Sequence, residues 1–239
     1  MSDINKQKED KPCKKALIIC NGNPPPEILL HHLWKETDYR VAADGGANQL
    51  DCYNLIPDAV VGDFDSLQPE VQKKLPSSTF FHVKEQDTND ADKSVRHCLN
   101  RGFSEIHIIG AEGGRNDQFL TSLEILFKYS PTVHLILWTS LERMEFIRDT
   151  WKQNLPQGTI LSLLPLFGGA RGVVTQGLEY AMNGQDLLPG KIPSGVSNLV
   201  LSNPVSVTLK KGQLLLVVQH DANYSQHSES DNSQNYCQS

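Results

Sequence analysis

Residues 40–66, RVAADGGANQLDCYNLIPDAVVGDFDS, decide the fold. They read as a short apolar run, a glycine-marked loop, a helical stretch, a second apolar run and an acidic loop. The same rhythm extends outward in both directions. Strands are expected at 16–20, 40–43, 59–61, 79–83, 105–109 and 133–138, with helices at 27–35, 48–55, 69–74, 90–101 and 118–129. Such alternation predicts βαβ units and an α/β fold built on a mostly parallel, Rossmann-like sheet.

Beyond Trp138 the character changes. Residues 142–148 alternate polar and apolar side chains, and 150–157 read as a connector containing Pro156. Short strand-like pieces follow at 159–164, 171–175, 205–209 and 214–219, punctuated by Gly168-Gly169, Gly177, Asn183-Gly184, Pro189-Gly190 and Lys211-Gly212. That is the rhythm of a small antiparallel sandwich or barrel. Two domains are therefore expected, α/β at 16–150 and an all-β sandwich at 151–221. A polar leader at 1–15 precedes them, and a Ser/Asn/Gln-rich tail at 222–239, too poor in aliphatic residues to order itself, follows.

Composition narrows the function. A chain of 239 residues buries enough apolar surface to fold without staples. Its five cysteines, an odd count with no C-x-x-C pair, point to reduced thiols and a cytoplasmic setting, not to a disulfide framework or a zinc site. The first residues lack the apolar segment of a secretory signal, and no apolar run approaches the roughly 20 residues that cross a bilayer. With 22 basic against 28 acidic side chains the net charge is −6, and no basic stripe is present, which argues against a nucleic-acid partner.

The aspartates carry the chemistry, because each cluster follows an expected strand. In a parallel sheet such loops emerge on one edge, where open α/β sheets bind ligands. Ala43-Asp44-Gly45-Gly46-Ala47-Asn48 pairs glycines for a tight turn and a close approach to a ligand; a plain turn with Asp44 as helix cap is the alternative. Gly62-Asp63-Phe64-Asp65-Ser66 sets two carboxylates two residues apart. That spacing suits a hard cation such as Mg²⁺, or else an Asx-turn with a cap at Asp65 or Ser66. In Asp87-Thr88-Asn89-Asp90-Ala91-Asp92-Lys93, Asp87, Asp90 and Lys93 recur every three residues at a helix start, either facing a metal-bound phosphate or simply capping the helix. Gly113-Gly114-Arg115-Asn116-Asp117-Gln118 joins glycines to an arginine, a natural phosphate cradle, with Asp117 as cap or ligand contact. Carboxylates gathered on one edge repel one another unless a cation binds among them.

In content and order these motifs resemble those of the thiamine pyrophosphokinase family, and Ser194-Gly195-Val196-Ser197-Asn198 resembles a Ser-Asn element near its thiamine. The likeness spans about residues 16–220. It implies an α/β nucleotide domain followed by a β-sandwich, a homodimer with thiamine near the subunit interface, and transfer of pyrophosphate from ATP to the hydroxyethyl group of thiamine, releasing AMP. By motif, Asp63, Asp65 and Asp90 would hold Mg²⁺ with Asp44 close by. Asp44, Gly45, Gly46, Gly113, Gly114, Arg115, Asp117 and Gln118 would surround the nucleotide, and Ser194, Ser197 and Asn198 the thiamine. Tyr180 is the candidate aromatic platform, against a core or surface role. Lys93 or Arg115 would add positive charge, and Asp87 or Asp65 would accept the alcohol proton. Asn89 and Gln118 stand where the family commonly has Thr and often His.

Other readings compete. A phosphatase or one-phosphate kinase of the phosphoaspartate type needs an acid after the first strand, and Asn21-Gly22-Asn23-Pro24 has none. A non-catalytic nucleotide or thiamine sensor would keep the site without turnover. A purely structural oligomer leaves the aspartates without a cause. The histidines (His31, His32, His82, His97, His107) do not recur with the acidic loops, which favours surface or core roles.

Overall fold

A computed structural model describes residues 14–191 and 195–220. The first half alternates as the sequence predicts: β1 (Lys15–Ile19), α1 (Glu27–Glu36), β2 (Tyr39–Ala43), α2 (Gly46–Cys52), β3 (Ala59–Gly62), α3 (Pro69–Lys74), β4 (Phe80–His82), α4 (Asp90–Asn100), β5 (Glu105–Ile109), α5 (Asn116–Tyr129) and β6 (His134–Trp138). These six strands pair in parallel in the order β6-β5-β1-β2-β3-β4.

Both faces of this sheet are covered. Along β1, Ala16 and Ile18 face a core shared with Val95 and Cys98 of α4 and Leu123 and Leu126 of α5. Leu17 and Ile19 face the opposite core, with Leu29, Leu30 and Leu33 of α1, Leu50 of α2 and Val71 of α3. The period of two thus puts apolar side chains on both sides, so the strand reads as continuously apolar. Burying Leu17, Ile18 and Ile19 completely contributes roughly 1.5–3 kcal/mol each.

The second half continues with β7 (Glu142–Ile147), β8 (Thr150–Gln153), β9 (Ile160–Leu164), β10 (Ala170–Gln176), β11 (Asn183–Leu187), β12 (Gly195–Leu199), β13 (Val205–Thr208), β14 (Lys211–Gly212) and β15 (Leu214–Gln219). The parallel sheet does not stop at β6. Antiparallel strands extend it as β6-β7-β15-β9-β12, making one ten-stranded sheet. A second sheet, β11-β10-β13-β8 with β14 on β10, packs on the antiparallel end. Between the two sheets lie Trp151, Leu161, Leu163, Val173, Leu187, Val205, Val207, Leu214 and Leu216.

Four corrections fall in this half. Half of the expected connector at 150–157 is strand β8, Asn183-Gly184 opens β11 and Lys211-Gly212 forms β14 instead of punctuating, and β12 was not expected as a strand. β8, β11 and β12 are edge strands. β8 buries only Trp151 and β11 only Leu187, so backbone pairing holds them and little apolar alternation marks them. Among the described residues no helix is long and apolar enough to cross a membrane. The expected leader and tail lie outside the described residues.

Candidate functional site

The chain runs from β1 to β4 in one direction across the sheet, then returns to place β5 on the other side of β1. The order reverses between β1 and β5, and open α/β sheets bind ligands at such a switch point. A cleft of about 560 Å³ opens there, lined from the loops after β1, β2, β3 and β5 and from the start of α4.

Asp44 is the most constrained group in it. It takes a left-handed backbone (φ 45°) at the end of β2, its side chain is 2% exposed, and its Oδ2 accepts the Ser66 N–H at 3.0 Å. Its Oδ1 is buried without a hydrogen-bond partner. Burial, with Asp65 and Asp90 adding negative charge, pushes its pKa up to about 6. Asp44 does not cap α2, whose first residue follows Gly45 with no side-chain cap bond. In the second loop the Asx-turn reading holds, the Asp65 N–H donating to Asp63 Oδ1 at 3.4 Å, whereas the cap reading fails: α3 is preceded by Gln68 without a side-chain cap bond, and Ser66 Oγ donates to Asp65 at 3.0 Å.

One carboxylate oxygen each from Asp44, Asp63 and Asp65 lies within 4.8 Å of the others. Three acids at this separation with one orphaned buried oxygen fit a hard divalent cation, which takes oxygen ligands and keeps some of its waters. Asp90 stands next to this group across Gly62: a Cβ built on Gly62 would lie 2.8 Å from Asp44 Cβ and 3.2 Å from Asp90 Oδ1. Asp90 also takes an ion pair from Lys93 at 2.9 Å, and the Lys93 side chain is 3% exposed. Asp90 and Lys93 share a helix face as the spacing predicts, whereas Asp87 is exposed in the bend before α4 and does not line the cleft. The helix cap is Asn89, whose Oδ1 accepts the Asp92 N–H at 3.0 Å.

On the opposite wall stand Gly113, Gly114, Arg115 and Gln118. Arg115 is spent on Asp117 in a two-pronged pair (3.1 and 2.5 Å), with both side chains exposed. That pair holds the Asp117 carboxyl below its usual range. Asn89 and Gln118 meet, Nδ2 to Oε1 at 3.4 Å, so the two departures from the family pattern touch each other across the cleft.

Sequence reasoning missed the loop after β1. Asn21, Gly22 and Asn23 line the cleft; the Gly22 N–H donates to Gly110 at 2.7 Å and the Asn23 N–H to Glu112 at 2.7 Å. Lacking an acid, the loop drew notice only as a point against phosphoaspartate chemistry, yet its place between the reversing strands marks it. Asn48 was also missed. Its amide donates to Ser66 O at 2.9 Å and accepts from Gln68 N at 3.0 Å, bracing the second acidic loop from α2.

The thiamine candidates lie elsewhere in the chain. None of Tyr180, Ser197 and Asn198 lines the cleft, and Ser194 lies outside the described residues. Asn198 is 3% exposed, and its amide is committed to backbone: Oδ1 accepts from Tyr180 N and Leu199 N, each at 3.0 Å, and Nδ2 donates to Tyr180 O at 2.8 Å. It braces the segment that presents Tyr180, 62% exposed. Ser197 is exposed on a left-handed backbone (φ 56°), its N–H donating to Ser162 Oγ at 3.0 Å. The histidines keep to the surface or core: none lines the cleft, and His107 is 6% exposed, bonded to Glu105 and Trp138 at 2.9 Å each.

The chain thus joins a parallel sheet, with an acid-rimmed cleft at its switch point, to a β-sandwich. Two family descriptions match it in order: "Thiamin pyrophosphokinase, catalytic domain" over residues 30–137 and "Thiamin pyrophosphokinase, vitamin B1 binding domain" over 150–214. The chain belongs to the thiamin pyrophosphokinase family. It is 26% identical over 208 residues to thiamin pyrophosphokinase 1 of Caenorhabditis elegans, covering 81% of this chain and 84% of that one. It is 28% identical over 234 residues to thiamine pyrophosphokinase 2 of Arabidopsis thaliana, covering 83% and 84%. The fold is like that of the Bacillus subtilis thiamine pyrophosphokinase structure (TM-score 0.77, 21% identity, 87% of this chain and 100% of that one). It is equally like the yeast enzyme's (TM-score 0.77, 20% identity, 90% and 89%).

Proposed function

We propose that the chain transfers the terminal pyrophosphate of ATP to the hydroxyethyl oxygen of thiamine, giving thiamine diphosphate and AMP. The observation that carries this reading is the acidic trio of Asp44, Asp63 and Asp65, with its partnerless buried oxygen, reaching through Asp44 into a cleft that Asp90, glycines and Arg115 also line, while Asp63 and Asp65 stand beside that lining. The trio, with Asp90 adjacent, would hold Mg²⁺, which when bound neutralises phosphate charge as it builds. Arg115 and Asp117 are surface partners of each other; exchanging that exposed pair for a phosphate oxygen and a ribose or base costs little. Lys93, buried against Asp90, fixes that carboxylate and supplies positive charge from behind. Asp65, engaged by Ser66 beside the trio, and Asp87, exposed and outside the cleft lining, are the two candidate acceptors of the thiamine hydroxyl proton.

Tyr180 and Ser197 would face thiamine, with Ser194, and Asn198 would position Tyr180. Since none of the described three lines the cleft of its own chain, a homodimer in which the partner's sandwich completes the site fits the reading. The buried cysteines Cys20 and Cys98, free among the described residues, suit a cytoplasmic enzyme.

Incubating the protein with ATP, Mg²⁺ and thiamine tests the reaction directly. AMP with thiamine diphosphate is expected; ADP with thiamine monophosphate means a simple kinase, and no turnover means a sensor. A cation that relieves the crowded acids also stabilises the fold by mass action. At about 100 times its dissociation constant, Mg²⁺ adds about 2.7 kcal/mol, which for a chain of this size raises the melting midpoint by several degrees. Differential scanning fluorimetry at pH 7.5 should show this rise in the native protein and lose it in Asp65→Asn.

A further inference from the structure

The segment that leads into α4 is fastened to that helix by a charged clasp lying outside the cleft. Glu85 is its first member. Glu85 Oε1 accepts the Thr88 hydroxyl at 2.9 Å, and Glu85 Oε2 takes Arg96 Nη2 at 2.9 Å. The same Arg96 nitrogen donates to Thr88 Oγ1 at 2.8 Å, closing a three-membered ring of contacts. Arg96 Nε also lies 3.2 Å from Asp92 Oδ2, although neither atom makes a well-aligned hydrogen bond there. Asp92, with its side chain only 5% exposed, turns its other oxygen to Lys128 of α5 at 2.7 Å. One connected set of charges therefore ties the segment before α4 to α4 and α5.

What hangs on the clasp is the catalytic wall. Asp87 lies inside the ring, between Glu85 and Thr88, and Asn89 and Asp90, which line the cleft, follow Thr88 directly. Surface ion pairs are worth little to stability, about 0–1 kcal/mol, so a fold of this size does not need one here. Position is another matter: a reacting group displaced by 1 Å can lose on the order of 100-fold in rate. Arginine suits the task because one planar fork meets Glu85, Thr88 and Asp92 together, which a lysine ammonium on its flexible stem does not do.

We propose that Arg96, Glu85 and Thr88 are positioning residues for the transfer reaction: their clasp fixes residues 85–90 so that Asn89 and Asp90 hold a single geometry in the cleft lining. This role presupposes the reaction proposed above, but the clasp has a readout that does not. Glu85 and Arg96 are partly exposed, their side chains at 32% and 38%, so both can be replaced without hollowing a core.

Thr88→Val keeps the shape of the side chain and removes the hydroxyl, Thr88→Ser restores it, and Arg96→Lys keeps the charge without the fork. Steady-state AMP formation, thermal melting and mass-mapped tryptic cleavage after the exposed Lys84 are measured on each. Thr88→Val and Arg96→Lys should lower kcat about 10- to 100-fold, with KM for ATP nearly unchanged and melting midpoints close to that of the native protein. Both should also speed cleavage after Lys84, and Thr88→Ser should recover native values. Full turnover in Thr88→Val, loss of activity only in step with a falling melting midpoint, or an unchanged cleavage rate would overturn the proposal. Absence of AMP formation by the native protein would instead sink the reaction, with the cleavage rates still deciding whether the clasp exists.

Discussion

Asp63→Asn or Asp65→Asn will lower AMP formation by about 10²- to 10³-fold, the usual loss when one preorganised electrostatic contact to a transition state is removed. The melting midpoint measured without Mg²⁺ will hold or rise. Both halves of that expectation come from the same crowding. Asp44, Asp63 and Asp65 put three carboxylates within 4.8 Å, and burial, with Asp65 and Asp90 adding negative charge, raises the Asp44 pKa to about 6. Removing one charge relieves that repulsion, so the folded state loses nothing, while the developing phosphate charge loses a counterion holder. HPLC of the adenine products and a thermal melt on the same preparation give both numbers. A midpoint that drops in step with activity would make these acids structural.

The second large effect lies in the backbone at Gly45-Gly46. A methyl group at Gly46 would collide with the Ile19 carbonyl oxygen at the end of β1, a backbone atom with no freedom to move. Gly46→Ala should therefore cost about 3 kcal/mol, the upper end for overpacking. At Gly45 the obstacle is the side-chain amide of Asn21, the movable end of a flexible group. Gly45→Ala should melt nearly as the native protein does, but with Asn21 pushed into the cleft and KM for ATP raised several-fold. Equal midpoints for the two variants would sink this account of the pair.

The α/β half was legible because the parallel strands other than the edge strand β4 are buried on two sides and each helix on one, which writes apolar runs and helical period directly into the chain. The acidic loops were legible for a related reason: in a parallel sheet, position after a strand is position on one edge. What escaped were elements held by backbone alone. β8 and β11 each bury a single side chain, so nothing in their composition separates them from loops. The role of Gly45-Gly46 was half seen. Asp44, not either glycine, takes the left-handed turn, and the glycines serve close approach to Ile19 and Asn21. Asn198 was read as a ligand contact, and only coordinates show its amide committed to the backbone of Tyr180 and Leu199.

The ten-stranded sheet bears on how substrates are admitted. Hydrogen-bonded ladders cross from β6 through β7, β15 and β9 to β12 without a break, so the two halves share one beam and have no swivel between them. Entry and release then fall to rearrangements on the scale of side chains, such as the parting of Arg115 from Asp117, and turnover would be timed by small latches instead of a closing jaw.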